Sequence, residues 1–462
     1  MKLPTSLSPG MRTYTAVWFG QMVSMIGTTL TEFGVSVWVY QKTGSATLFA
    51  MILLVGVLPG ILISPLAGTL VDRWDRRKTM MLADTGAALS TLAMALLLIG
   101  DRLEVWHILV AVSISASCRA FQGPAWMAST SLLVPEEHLG RASGMMSIAR
   151  SAAAIVGPLL AGVLIPVIGL QGVVLIDFAT FLVAVSILLA VRFPATPRTQ
   201  AGKAARGPLL KEAAFGWKYI ASQPVLRMHL YFFALVNMAL SYVWALFPPL
   251  VLGFAGPALL GTVGSALGFG MLLGGVLMTA WGGPKRKVLG ILGYGVLLSV
   301  CLVLMGLRPW VPLVALGLFG ISLGMPILNG SFMRLWMPRI APDVQGRTFA
   351  AMQVMVWSSQ PIAYLTAGPL ADRVFKPLLV EGGPLAGSLG AVFGTGPGRG
   401  IGLLLATVGV FVLVLTAVAA MLPAFRTAEE AIPVAVKPQA AAPPVEPAED
   451  PAADPTPLPV PA

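Results

Sequence analysis

Glu32, Asp84, Arg119 and Asp177 stand inside long apolar stretches of the chain. A charge at the centre of such a stretch costs ~2.5–3.5 kcal/mol if the surroundings are lipid, so each needs a partner, a wet cavity or a proton. Glu32 lies beyond the midpoint of the first stretch, where a fixed anion is expensive. A carboxyl group that takes up and releases a proton there meets the requirement of a proton carrier. A structural pair with Arg119, or a place at the outer interface, are the other readings. Asp84 near the start of the third stretch and Asp177 near the start of the sixth suit stabilisation by a helix N-terminus. Arg119 is followed by Gln122 and Gly123 inside the fourth stretch, and its charge there reads as functional or as a structural ion pair.

Other chemistries fail on context. Gly320-Ile-Ser322-Leu-Gly324 fits a hydrolase nucleophile pattern, but no strand precedes it and no histidine follows it. His107, His138 and His229 are scattered, with no metalloprotease spacing, and there is no phosphate-binding Gly-Lys-Ser/Thr loop. Cys118 and Cys301 read as small apolar fillers, giving neither a disulfide nor a metal framework. An enzyme is therefore not expected, nor a cofactor or metal. The net charge of +11 does not point to nucleic acid, because basic residues gather in short segments between apolar runs.

What must position these residues follows from composition. Apolar residues make up 56% and charged residues 11%, more apolar surface than a water-soluble core absorbs. Lipid must be the solvent, and long unalternated runs mean helices rather than a barrel. A hydrocarbon core of ~30 Å needs ~20 apolar residues per helix, and the chain holds about twelve such runs. They fall at 15–40, 46–70, 80–100, 105–133, 142–168 and 171–191, then at 228–253, 259–281, 287–307, 311–336, 348–371 and 400–422. Residues 1–12 form an N-terminal segment, 13–191 and 228–422 two six-helix bundles, and 192–227 a basic linker. Within the linker, Leu209 to Ile220 suits an amphipathic helix on the membrane surface. Residues 423–462, rich in Pro and Ala, are expected to be disordered. Lys and Arg cluster at one set of ends, as at Arg76, Arg77, Lys78, Lys285, Arg286 and Lys287, while the other has few, such as Lys42, Arg308 and Arg373. The basic ends are expected to be cytoplasmic, with both termini inside.

After the second run the chain reads Gly68-Thr-Leu-Val-Asp72-Arg73-Trp-Asp75-Arg76-Arg77-Lys78. Glycine permits close helix approach, the aspartate can face a helix N-terminus, and the cations can pair with carboxylates, so the loop reads as a latch. This loop resembles the signature of the major facilitator superfamily, which usually has glycine where Asp75 stands. Arg119 with Gln122-Gly123 resembles a second signature of that family. Gly144, Ala153, Gly157-Pro158, Ala161 and Gly162 resemble a motif associated with its antiporters, with alanine at two of the expected glycines. With Thr43-Gly44-Ser45, Asp177 and the glycine-rich run 394–400, residues 12–425 resemble the branch of macrolide-efflux pumps and the enterobactin exporter. Pro135, Gly140 and Arg141 are echoed by Pro342, Gly346 and Arg347, as expected of a repeat with a binding site between halves.

The resemblance implies an all-α membrane fold of two pseudo-symmetric six-helix halves. It also implies proton-driven export of small amphipathic compounds by a monomer in the inner membrane, its partners being substrate, protons and lipid. Uptake or lipid flipping on the same fold, or a non-transporting sensor or scaffold, are the alternatives. Gln21, Trp38, Asn237, Trp244, Asn329, Gln353, Trp357 and Gln360 are candidate cavity-lining residues, being polar or aromatic within the runs.

Overall fold

The computed structural model describes residues 9–71, 74–134, 139–191, 217–340 and 345–431. The latch residues Asp72 and Arg73, the loop prolines Pro135 and Pro342, most of the basic linker and the tail from 432 onward lie outside them. Among the described residues the regular structure is helical throughout.

The first half is built from α1 (Pro9–Thr43), α2 (Ala46–Val71), α3 (Arg76–Ile99), α4 (Val105–Leu133) and α5 (Leu139–Ala190). At 52 residues α5 would extend ~78 Å as a straight rod, far more than a bilayer core. It turns back at Gly169, whose φ of 67° and ψ of 178° are open only to glycine. Contacts with α1 give the directions of the two arms. Tyr14 and Trp18 of α1 donate hydrogen bonds to the Ala142 and Met145 carbonyls, and a Cβ at Gly157 would press on Thr29, so the first arm runs parallel to α1. Gly20 faces Ala184 and Ile187 whereas Gly34 faces Leu170 and Val173, so the second arm runs antiparallel. The two helical arms on either side of Gly169 therefore supply the two expected spans 142–168 and 171–191.

The second half comprises α6 (Pro224–Leu252), α7 (Pro257–Trp281), α8 (Lys287–Leu307), α9 (Val311–Trp336), α10 (Gln345–Trp357), α11 (Ser359–Pro369) and α12 (Arg399–Met421). The run 348–371, expected as one helix, is divided at Ser358. Pro361 is the reason: it offers no N–H to the Trp357 carbonyl and its ring crowds that group. Beyond Pro369 the chain winds as a π-helix, Leu370–Phe375.

Ten helices among the described residues are long and apolar enough to cross a membrane. With α5 folded back and α10 with α11 forming a divided span, this accounts for the expected set. Leu82, Val167 and Met421 are 70, 76 and 79% exposed, so the outer surface presents large apolar side chains that water would not tolerate in such number.

Helix packing in lipid depends on close approach, since tails solvate leucine as well as another leucine does. Within the first half α1 lies along both arms of α5, and α3 and α2 pack on α4. Within the second, α7 packs on α9 and α8 on α9 and α12. The halves meet where α5 crosses α7 and where α11 crosses α2. At the first seam a Cβ on Gly162 would stand 3.2 Å from the Gly261 Cα. Farther along the same faces, a Cβ at Gly144 or Gly275 would meet nothing within 4 Å. The seam is closed at the ends carrying Thr43 and Gly256 and parts toward the basic ends.

Candidate functional site

Side chains of α1, α3, α4 and α5 surround a cavity of about 190 Å³. Its wall is read from helical spacing. Gln21, Ser24, Thr28 and Glu32 fall on one face of α1, and Ala87, Thr91 and Met94 on one face of α3. Ser115, Arg119 and Gln122 form the matching stripe on α4, and Asp177 with Phe181 that on α5. The apolar core of this half is divided into small clusters around the cavity, whereas the second half has one large continuous core.

Arg119 Nη1 lies 2.7 Å from Glu32 Oε1, and the two side chains are 32% and 44% exposed to the cavity. Each satisfies the other inside the membrane span while remaining wet. A pair so exposed contributes only ~0–1 kcal/mol, so it opens easily.

Deeper, Gln21 Nε2 donates to Asp84 Oδ2 at 2.9 Å, and Gln122 Nε2 donates both to Asp84 Oδ1 and to Gln21 Oε1. These three side chains form a closed hydrogen-bonded ring, with Gln21 and Asp84 each 1% exposed. Asp84 sits about two turns into α3, beyond the first turn where a helix N-terminus acts, so the amides and not the helix dipole hold it. Asp177 is similarly placed well inside the second arm of α5. Its Oδ1 and Thr31 Oγ1 are buried without a hydrogen-bonding partner among the described residues.

The other expected residues are placed as follows. Gly123 faces open space, with nothing within 4 Å of a Cβ built on it. Pro158 and Gly162 of the antiporter-like motif lie on the seam with α7, and Gly157 lies against α1. Trp38 lies beneath the Lys42 ammonium, 4.6 Å from its ring centre. Asn237 Oδ1 accepts from Ser359 Oγ, Trp244 meets Phe247 edge-on, and Asn329, Gln353 and Trp357 are exposed, with Gln360 half-buried. Gln21, Glu32, Arg119 and Gln122 are thus brought together, and those from the second half are not part of this cavity's wall.

At the basic end Gly68 lies in the last turns of α2. Asp75 caps α3: its Oδ1 accepts from the Lys78 N–H at 2.9 Å, and its φ of −66° needs no glycine. The departure from the family pattern is thereby explained, since aspartate caps a helix better than glycine. Arg77 donates to the Leu188 and Leu189 carbonyls, closing the C-terminal end of α5 rather than pairing with a carboxylate. Lys78 is exposed and Arg76 half-buried. Arg334 likewise donates to the Gly282 and Pro284 carbonyls beyond α7.

The pattern of the Major Facilitator Superfamily matches residues 17–364, and the chain belongs to that superfamily. It is therefore a multi-pass membrane transporter of the all-α fold. Among its relatives, Macrolide efflux protein A of Streptococcus pyogenes is 29% identical over 371 residues, covering 78% of this chain and 89% of the relative. Multidrug efflux pump Tap of Mycolicibacterium fortuitum is 27% identical over 354 residues, covering 72% and 83%. Among solved structures, a bacterial homolog to the human lysosomal transporter Spinster, inward-facing and unoccupied, superposes with a TM-score of 0.68 at 13% identity, covering 92% of this chain and 98% of that one. The nucleoside transporter NupG gives 0.65 at 12% identity, covering 88% and 99%.

Proposed function

We propose that this protein exports small amphipathic compounds in exchange for protons, the two halves rocking against each other as alternating access requires. The observation that carries the reading is the exposed Glu32–Arg119 pair in a cavity of the first half lined by polar and apolar side chains. The relatives named for macrolide and multidrug efflux support both the direction and the substrate class. The basic ends are assigned to the cytoplasm by the distribution of Lys and Arg, which puts both termini inside and the Thr43 end outside. The structure then corresponds to the inward-open state.

In this cycle a substrate enters from the cytoplasm or inner leaflet and packs on Met25, Met94 and Phe181, with Ser, Thr and Gln side chains offering hydrogen bonds. Proton arrival on Glu32 from outside breaks its pairing with Arg119, and release inward restores it. Each proton brings ~2.3 kcal/mol per 100 mV, enough for a roughly fifty-fold substrate gradient. The protein works as a monomer, without cofactor.

The test is uptake of a radiolabelled macrolide into everted vesicles from overexpressing cells. Energised vesicles should accumulate it, and a protonophore should abolish the accumulation. Accumulation indifferent to the protonophore would overturn proton coupling. Its absence for macrolides and for a panel of amphipathic drugs would overturn the substrate class.

A further inference from the structure

The segment Gly368-Pro-Leu-Ala-Asp372-Arg373 repeats the Gly-x-Leu-x-Asp-Arg order of residues 68–73, but at the opposite end of the bundle and without the basic run that follows the first copy. Its environment shows what it does. Asp372 belongs to the second half, yet its carboxylate is bound to the start of α2 in the first. Oδ2 accepts from the Thr47 N–H and the Thr47 hydroxyl, both at 2.8 Å, and from the Ser45 hydroxyl at 3.0 Å. Oδ1 accepts from the Ala46 N–H at 3.2 Å.

The Ala46 and Thr47 N–H groups are orphan donors of a helix N-terminus, where an anion is most favourable. Ser45 Oγ also receives the Leu48 N–H, so side chains from both halves complete the cap. Beside them Lys376 Nζ donates to the Gly44 carbonyl at 3.3 Å. Gly368 lets α11 reach α2, since a Cβ there would overlap the Thr47 Cα. The π-helical turn Leu370–Phe375 carries Asp372, as such irregular turns often carry functional side chains. An ionised acceptor with four donors is much stronger than a neutral contact, and all four donors come from the other half.

We infer that Asp372 is the outer gate residue of the transport cycle. Its carboxylate holds the start of α2 while the cavity faces the cytoplasm and leaves it when the outer end opens. In the sequence, residues 68–73 are the counterpart of this motif, and Gly68 lies in the last turns of the same helix α2 whose start Asp372 holds. The inference rests on the alternating-access reading, but its test needs neither substrate nor proton gradient and so fails independently of the export assay.

Spin labels at Gln41→Cys and Glu381→Cys, exposed positions on the outer ends of the two halves, report the gap in nanodiscs once Cys118 and Cys301 are replaced by alanine. The parent should show a dominant short distance. Asp372→Asn should raise the open-to-closed ratio about tenfold, the loss expected for one charge-assisted hydrogen bond. Ser45→Ala with Thr47→Ala, which removes two donors from the other side, should shift the ratio the same way. Adding these changes to Asp372→Asn should shift it little further, as expected for one shared contact. Should Asp372→Asn not fold, the alanine pair alone decides. Distance distributions within about twofold of the parent in whichever of these variants fold would overturn the assignment.

Discussion

Arg119 answers to two demands, neutralising Glu32 and lining a wet cavity, and substitution separates them. Because the two side chains are 32% and 44% exposed, Arg119→Ala should change stability by less than about 1 kcal/mol. Coupled export should nevertheless fall at least about tenfold, while Arg119→Lys keeps part of it, having a charge without the planar fork. The check is transport rate per folded protein beside detergent melting. Wild-type export by the alanine variant would make the arginine structural. Much of this site was legible from residue type alone, since Glu32, Arg119, Gln122 and Gln21 are conspicuous in apolar runs. The role of Asp84 was not legible: its partners lie 63 and 38 residues away, and no local pattern joins them. The second-half candidates do not line this first-half cavity, and the sequence does not show which way they face. Asn237 shows it, its amide oxygen engaged with Ser359, because the phase of an apolar helix is set by neighbours the sequence does not reveal.

At the scale of elements, the spans follow from run length and hydropathy, and the boundaries from individual residues. Gly169 folds α5 back and Pro361 divides the eleventh span, both visible in the sequence as breakers but not in their consequence. The α5–α7 seam depends on Gly162 facing Gly261. Gly162→Val would drive methyl groups into the Gly261 Cα and the Pro257 carbonyl, an overpacking worth ~1–3 kcal/mol. It should lower transport about tenfold or more while leaving membrane insertion near normal, measured as initial rate against surface-labelled protein.

The last described turns form a second element-level device. Phe425 stacks on His229, and Glu429 accepts from the Val288 N–H at 2.9 Å and from Lys287 Nζ at 3.1 Å, pinning the C-terminal turn to the start of α8. Burial pushes the Glu429 carboxyl upward, but the Val288 N–H and Lys287 together outweigh it and hold the group below its ordinary value. A depressed folded pKa stabilises above the unfolded value of ~4.3 and ceases to do so as pH falls below it. Glu429→Gln should therefore lower the apparent melting temperature slightly at pH 7, by the equivalent of about 1 kcal/mol or less, and the difference should shrink and disappear as pH falls through the depressed folded value, at a fixed scan rate.

Across the whole molecule the halves share a fold but divide the work. The second half is one continuous apolar core that also takes in Ala46, Ala50 and Leu54 of α2, and the first half gathers the carboxylates around a cavity. In the proposed cycle Glu32 is the point where proton and substrate meet. In proteoliposomes, wild type under an imposed pH gradient should accumulate substrate uphill and also exchange it downhill. Glu32→Gln keeps the size and hydrogen bonding of a protonated glutamate, so it should still bind and exchange substrate but lose accumulation. Accumulation by Glu32→Gln at the wild-type level would contradict the account.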